Sequence, residues 1–288
     1  EQLGRTTETP SAIGPTESWL TDWMVRTCEF IDRYQPKVLY FDWWIKNYAF
    51  KPYLKRIAAY YYNRAAQWGE EVTINYKWGA FPPGVGTFDV ERGALTGISP
   101  VPWQTCTAIG KRSWGYTGDN TFKSARQVIC DLIDIVSKNG ILLLNVGPRA
   151  DGTITREETE VLLDMGGWLR NNGEGIYDTV PWRSFGEGCV NAQEGFFMDG
   201  EEKEYTAEDF RFTYKNGCVY AFQLRPNGRD VTIRSLALRD FADPGIVNVR
   251  LLGCESDMEY TRDGDGLHIA MPENADTALP ICFRINLM

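Results

Sequence analysis

The sequence of 288 residues has room for one large domain or two medium ones, and 43% hydrophobic with 24% charged residues is ordinary for a folded chain. Its 30 Lys and Arg against 39 Asp and Glu give a formal charge of −9, which argues against nucleic acid or an anionic membrane surface as a partner. No apolar run approaches the roughly 18 residues of a spanning helix, and the single histidine, His268, leaves no room for a site built from several.

In chain order, residues 1–15 are polar, carry Gly4, Pro10, Gly14 and Pro15, and read as an irregular lead-in. Trp19, Leu20, Trp23, Cys28, Phe30, Ile31 and Tyr34 then recur at helical spacing until Pro36 stops them. Residues 38–41 form a short apolar run expected to be a strand buried on both faces. A helix over 51–68 ends at Gly69 and a strand follows over 72–76. Residues 78–102, rich in Gly and Pro, read as one long loop, and loops of that length tend to be functional. A strand over 105–109, a loop over 110–120, a helix over 123–138, a strand over 141–146 and a helix over 156–171 complete a region of parallel α/β texture.

After about residue 182 the texture changes to short strands over 210–213, 218–224, 230–235, 247–252 and 281–285. Asp263-Gly264 and Asp265-Gly266, between candidate strands 258–261 and 267–270, give a hairpin signal. This part reads as an antiparallel β-sandwich, with the boundary near 180–190. The seven cysteines (28, 106, 130, 189, 218, 254 and 282) show no CxxC spacing, which argues against a zinc cluster, and their odd number prevents complete internal pairing. The 10 Trp, 14 Tyr and 14 Phe supply either a large core or the flat apolar walls of a binding cleft.

In parallel α/β folds chemistry gathers where strands end. Asp42 follows the strand over 38–41 and precedes Trp43-Trp44. A carboxylate among aromatics costs free energy unless it is paired or used, so it is a helix cap, an ion-paired group, or a nucleophile or base. Asp89 and Glu91 lie in the long loop, where an acid is ordinarily just solvated. A strand-end and a loop carboxylate can nevertheless form the pair of a retaining glycosidase, which stands about 5–5.5 Å apart. Aromatic side chains then serve to stack on sugar faces.

Pro36-Lys37-Val38-Leu39-Tyr40-Phe41-Asp42-Trp43 resembles the nucleophile strand of the α-L-fucosidases of glycoside hydrolase family 29. Pro102-Trp103-Gln104-Thr105-Cys106 with Ser113-Trp114-Gly115-Tyr116, the run over 137–154 containing Leu142-Leu143-Leu144-Asn145-Val146-Gly147-Pro148, and Trp168-Leu169-Arg170-Asn171-Asn172-Gly173-Glu174-Gly175-Ile176-Tyr177 resemble further segments of that family. Phe210-Arg211-Phe212-Thr213 and Leu251-Leu252-Gly253 resemble its C-terminal domain. The resemblance implies the C-terminal half of a (β/α)8-like TIM barrel over 1–182 and a β-sandwich over 183–288. It implies a retaining exo-α-L-fucosidase with Asp42 as nucleophile and Glu91 as acid/base. Gln104 stands where some relatives have a glutamate and cannot donate a proton as an acid. Tyr40, Trp44, Lys77 and Trp114 are the implied substrate-binding residues, Lys77 standing where the family usually has an arginine, so that a bidentate contact becomes a single-point one. Gly147-Pro148 and Asp151-Gly152 read as turns, Glu174 as a local hydrogen-bonding residue and His268 as a surface or packing histidine.

No metal or cofactor is implied, the implied partner is a fucosylated oligosaccharide or glycoconjugate, and the implied location is secreted, periplasmic or lysosomal. A full barrel takes about 250 residues, so the front half-barrel is expected from the same polypeptide or, second, from a partner chain. Two other readings stay open: a non-catalytic carbohydrate-binding or degenerate member, and a glycosidase of this fold acting on another sugar.

Overall fold

Thr16 starts the first helix, its hydroxyl accepting the Trp19 N–H, and α1 runs Glu17–Tyr34 to a left-handed Gln35 just before Pro36. The structure, a computed structural model, describes residues 14–192, 194–199, 202–240, 243–272 and 275–288. The expected lead-in over 1–15 therefore lies, as far as residue 13, outside the described residues. The chain divides into two compact units, Glu1–Val90 and Glu91–Met288.

In the first unit, α1 is followed by β1 (Val38–Tyr40), α2 (Lys51–Trp68), β2 (Thr73–Tyr76) and β3 (Thr87–Asp89). β1 pairs parallel with β2 in the register Leu39↔Ile74, and β2 pairs parallel with β3 through Tyr76↔Phe88. Leu20, Ile31, Leu39, Leu54, Ile57, Tyr61 and Ile74 form its core. β3 corrects the reading of 78–102 as one loop. Three residues between Gly86 and Val90 carry too little periodicity to be read as a strand, yet a Cβ on Gly86 would collide with the Ile74 carbonyl, which fixes glycine where β3 begins. β1 is covered on one face only: Leu39 is buried, whereas Val38 and Tyr40 are exposed. Their face is the inward one of a barrel strand, which a ring of strands fills.

The second unit begins with β4 (Trp103–Ala108), α3 (Ala125–Ser137), β5 (Gly140–Asn145) and α4 (Arg156–Asn172), with β4 and β5 parallel from Trp103↔Gly140 to Ala108↔Asn145. Gly140 is fixed by close approach, since a Cβ there would stand 2.7 Å from the Trp103 ring and 2.8 Å from the Ile135 carbonyl oxygen. Exposed Ile141 and Leu143 again mark the inward face.

β6 (Val180–Glu187), β7 (Phe210–Lys215), β8 (Cys218–Gln223), β9 (Val231–Ile233), β10 (Ile246–Leu251), β11 (Tyr260–Arg262), β12 (Leu267–Ile269) and β13 (Ile281–Leu287) follow. They make two antiparallel sheets, ordered β10-β13-β8-β7-β6 and β11-β12-β9. The hairpin expected around Asp263–Gly266 is β11–β12. β6 escaped the sequence reading because Pro181 and Gly186 interrupt its apolar pattern, and the register against β7 shifts between them. β8 shows how the layers meet. Cys218, Tyr220 and Phe222 face a core shared with Ile129, Ile133 and Trp168, while Val219 and Ala221 face a second core with Ile233, Leu267 and Phe283. All seven cysteines are free thiols.

Candidate active site

The ladder of β1 runs one bond past its last residue, with the Phe41 N–H donating to the Asn75 carbonyl at 2.9 Å, so Asp42 is the first side chain beyond the strand. Asp42 caps a 3₁₀ turn, Trp43–Lys46, accepting the Trp43 N–H at 2.8 Å. Its second partner is Lys77, just past β2, with Nζ at 3.1 Å. Both contacts fall on Oδ1. The Lys77 side chain is 5% exposed and that of Asp42 58% exposed, so the cation is fixed from inside and the carboxylate stands open to solvent. Two of the three sequence readings of Asp42, cap and ion pair, thus hold together at one oxygen, and neither occupies Oδ2.

Around this pair, Lys77 Nζ stands 5.8 Å from the centre of the Tyr40 ring, and the Tyr40 hydroxyl donates to Asp89 Oδ2 at 2.9 Å. Asp89 is fully buried at the end of β3, which corrects its reading as a solvated loop acid. The next turn is aromatic. Trp44 stacks on Trp43 at 4.2 Å between ring centroids and lies exposed, while buried Lys46 sits 4.4 Å from the centre of the Trp78 ring, its pKa pushed down by burial. Trp78 adopts a left-handed φ of 54°.

In the second unit, Glu91 is half-buried at the head of a segment whose neighbour Arg92 is buried in a left-handed conformation, φ 48°. The Arg92 N–H donates to the Cys106 carbonyl at 2.8 Å, and its guanidinium donates to the Gly110 carbonyl at 3.0 Å. That guanidinium lies 4.5 Å from the centre of the Trp114 ring and 3.5 Å from Asp199 Oδ2. Asn145, at the end of β5, donates to the Trp114 carbonyl at 2.6 Å and holds the loop beside the strand end. Arg92 thereby joins the segment bearing Glu91 to Trp114. Gln104 is buried within β4.

Deeper in this unit lies an ionic network of another kind. Asp134 accepts from Lys138 at 2.7 Å and Arg211 at 2.6 Å, all three at most 1% exposed. Burial pushes the Asp134 carboxyl up, but Lys138 and Arg211 outweigh it and hold the group below the ordinary range. Asp131, 3.2 Å from Lys203, is pushed up by burial despite that cation. Lys123, fully enclosed, binds Asp199 at 2.6 Å and Thr107 at 2.6 Å.

The structure brings Asp42, Lys77 and Tyr40 together in the first unit, and joins Glu91 to Trp114 through Arg92 in the second. Sequence reasoning named Asp89 as a loop acid without its partner Tyr40, and missed Lys46, Arg92 and Asp199 as members of these clusters. The signal for Asp89 was its place in the long Gly/Pro-rich loop beside Glu91, and Asp199 carried none. His268 bonds Asp263 and Thr232, each at 3.0 Å, a local surface arrangement on β12. Glu174 accepts from the Tyr220 hydroxyl at 2.7 Å, the local role read for it. Among the described residues no group of three or more His, Cys, Asp or Glu is gathered as a metal site, and no helix is long and apolar enough to cross a membrane.

Comparison with known proteins bears on the whole arrangement. The family model described as Alpha-L-fucosidase matches residues 3–174. Tissue alpha-L-fucosidase of Mus musculus is 33% identical over 190 residues, covering 64% of this chain and 37% of the mouse protein. Plasma alpha-L-fucosidase of Homo sapiens is 36% identical over 175 residues, covering 54% of this chain and 34% of the human one. The solved alpha-fucosidase of Thermotoga maritima in complex with a mechanism based inhibitor superposes with a TM-score of 0.73 at 27% identity, over 94% of this chain and 57% of that one. The chain thus spans little more than a third of those two relatives and over half of the bacterial structure. The fold is the C-terminal half of a (β/α)8-like barrel followed by an antiparallel β-sandwich.

Proposed function

The chain belongs to the alpha-L-fucosidase family, and from this premise we propose that the complete protein is a retaining exo-α-L-fucosidase that removes terminal fucose from oligosaccharides or glycoconjugates. The observation that carries the reading is the setting of Asp42: a strand-end carboxylate, exposed, ion-paired to buried Lys77 and, among the described residues, contacted only through Oδ1. A carboxylate set against a fixed cation, with one oxygen turned to solvent, is what a nucleophile at a sugar carbon requires.

In the proposed reaction Asp42 Oδ2 attacks the anomeric carbon as the bond to the leaving oxygen breaks, and Glu91 gives that oxygen its proton. Glu91, now a carboxylate, takes a proton from water, whose oxygen displaces Asp42 and restores both groups. Two inversions retain the α configuration. Lys77 steadies Oδ1, Tyr40 and the exposed Trp44 border the sugar on the nucleophile side, and Trp114, backed by Arg92, supplies an apolar face near Glu91. We assign residues 1–182 to the barrel part and 183–288 to the sandwich, with β6, which opens the antiparallel pairing at Val180, running across that boundary. The strands that close the barrel come from the same polypeptide in this reading.

The test is azide rescue of the complete protein on an activated aryl α-L-fucoside. Glu91→Ala should form α-fucosyl azide, because azide then intercepts the fucosyl-enzyme. Asp42→Ala should form β-fucosyl azide, because azide then attacks the fucoside directly. Exchanged stereochemistry, or hydrolysis by the wild type with β-fucose as first product, overturns the assignment.

A further inference from the structure

The connection between β6 and β7 returns to the segment that carries Glu91. Gly195 N–H donates to the Ala94 carbonyl at 3.4 Å, Phe197 N–H to the Glu91 carbonyl at 3.0 Å and Met198 N–H to the Arg92 carbonyl at 2.7 Å. Residues 194–198 therefore lie along residues 91–94 as an antiparallel strap, through the bridge Ala94↔Gly195. Its far end is anchored by Asp199, which takes buried Lys123 at 2.6 Å, stands 3.5 Å from Arg92 and also accepts from Thr107. Its near end is held by Thr96, whose hydroxyl donates to Glu194 at 3.1 Å.

On a strap fixed at both ends, Phe197 stands out. It is 60% exposed and adopts a left-handed φ of 60°. A bulky aromatic there costs free energy that a glycine would not. Water-exposed apolar surface offsets none of that cost within the described residues. The neighbour that its backbone grips is the proposed proton donor.

The geometry points to Phe197 as a specificity-determining residue on the leaving-group side of the site, a flat face on which the ring of the sugar that carries fucose stacks. The inference rests on Glu91 being the acid/base. An acid that protonates the bridging oxygen stands beside the leaving group, and a residue bonded to its carbonyl lies within a side chain's reach of the same place. The occupant is a pyranose ring, because its axial C–H groups present an apolar face to an aromatic. Asp199 is the positioning residue, acting through the strap backbone.

The experiment compares two substrates on the complete protein: a fucosyl disaccharide, and α-L-fucosyl fluoride, whose leaving group neither stacks nor needs a proton. Phe197→Ala should lower kcat/KM on the disaccharide about 5–20-fold, mainly through KM, and leave the fluoride within about twofold. Phe197→Trp should keep the disaccharide rate. Phe197→Asn, a residue that tolerates the left-handed region, should reproduce the Ala pattern with the strap backbone kept. An equal loss on both substrates, or no loss on the disaccharide in either Ala or Asn variant, overturns the inference. If that occurs while Glu91→Ala still yields α-fucosyl azide, the assignment of Glu91 stands and Phe197 alone falls. A wild type that turns over neither substrate sinks both.

Discussion

Two carboxylates of this chain are bound to lysine in nearly the same way and stand in opposite surroundings. Asp42 meets Lys77 at 3.1 Å with its own side chain 58% exposed. Asp134 meets Lys138 at 2.7 Å and Arg211 at 2.6 Å with nothing exposed beyond 1%. The first charge is offered to solvent, with its cation behind it. The second is consumed inside, where two cations balance it and no reactant can arrive. Burial of the carboxylate, rather than the presence of an ion pair, separates the proposed nucleophile from the enclosed Asp134.

Exchanging the two losses should break the comparison most visibly. Asp42→Asn is expected to lower fucoside turnover of the complete protein about a thousandfold or more, with a smaller cost in stability than loss of a fully enclosed acid, because the exposed amide oxygen can still accept from the Trp43 N–H and Lys77. Asp134→Asn leaves Lys138 and Arg211 enclosed without their counter-charge and should cost about 3–5 kcal/mol by chemical denaturation, with turnover per folded molecule unchanged. If Asp134→Asn abolished turnover in protein shown to be folded, the division of roles would be wrong.

Acid sharpens the same point within the buried group. Asp134 is held below its ordinary pKa in the folded chain, so its contribution is fully present above the unfolded value of about 3.9 and is lost as pH falls through the folded one. Asp131 has the opposite sign. Its folded pKa is raised, so it holds a proton more tightly folded than unfolded, and it subtracts stability as pH rises through that window. Denaturation between about pH 3 and 6 should therefore show Asp134→Asn removing a loss on acidification and Asp131→Asn removing a loss on alkalinisation. A wild-type slope unchanged by both variants would show that neither group titrates differently on folding.

How much of this could be read from residues follows the same line. α1, α2, α3 and α4 were legible because apolar residues at helical spacing bury against a neighbouring layer, and Thr16, Gly69 and Asn172-Gly173 mark ends by local capping and turn chemistry. Asp42 was legible as a strand-end acid among tryptophans. β3 and β6 were not legible, since three residues between Gly86 and Val90, or a strand interrupted by Pro181, owe their pairing to a partner strand. Asp89 became a buried acid only through β3 and Tyr40, 49 positions apart in sequence. Asp199 joined Lys123 and Arg92 across still longer separations, which no local pattern encodes. The doubly buried face of β8 likewise comes from helices on one side and a sheet on the other, an arrangement that strand periodicity alone does not distinguish from an edge.

Lys77 tests the cation behind the open carboxylate. Lys77→Met removes one charged hydrogen bond to Oδ1 and leaves the Trp43 N–H in place. The expected fall in kcat/KM on an aryl fucoside is about 10–100-fold, smaller than that for Asp42→Asn because the proposed nucleophile itself remains. Lys77→Arg should recover part of the rate, since a guanidinium can still reach Oδ1. A full rate in Lys77→Met would show that the ion pair does not position the carboxylate.

Trp44 should show the smallest effect, and the reason is its surroundings. It is 63% exposed and stacks on Trp43 at 4.2 Å, so it owes its place to one aromatic contact and to the 3₁₀ turn that Asp42 caps. Removing the ring takes nothing from a core and leaves both contacts to Oδ1 intact, so Trp44→Ala should not shift the thermal midpoint by more than about 1 °C, as for surface changes generally. What it removes is a flat face beside the proposed nucleophile, and an aromatic face of that kind is worth about 1 kcal/mol to a bound ring. The expected signature is a rise in KM of about 3–10-fold with kcat nearly kept, because a contact made equally to the bound sugar and to its transition state acts on binding alone. A fall in kcat with KM unchanged would instead mean that Trp44 steers Asp42 through the turn they share, which would move it from the wall of the site into the machinery that aims the carboxylate.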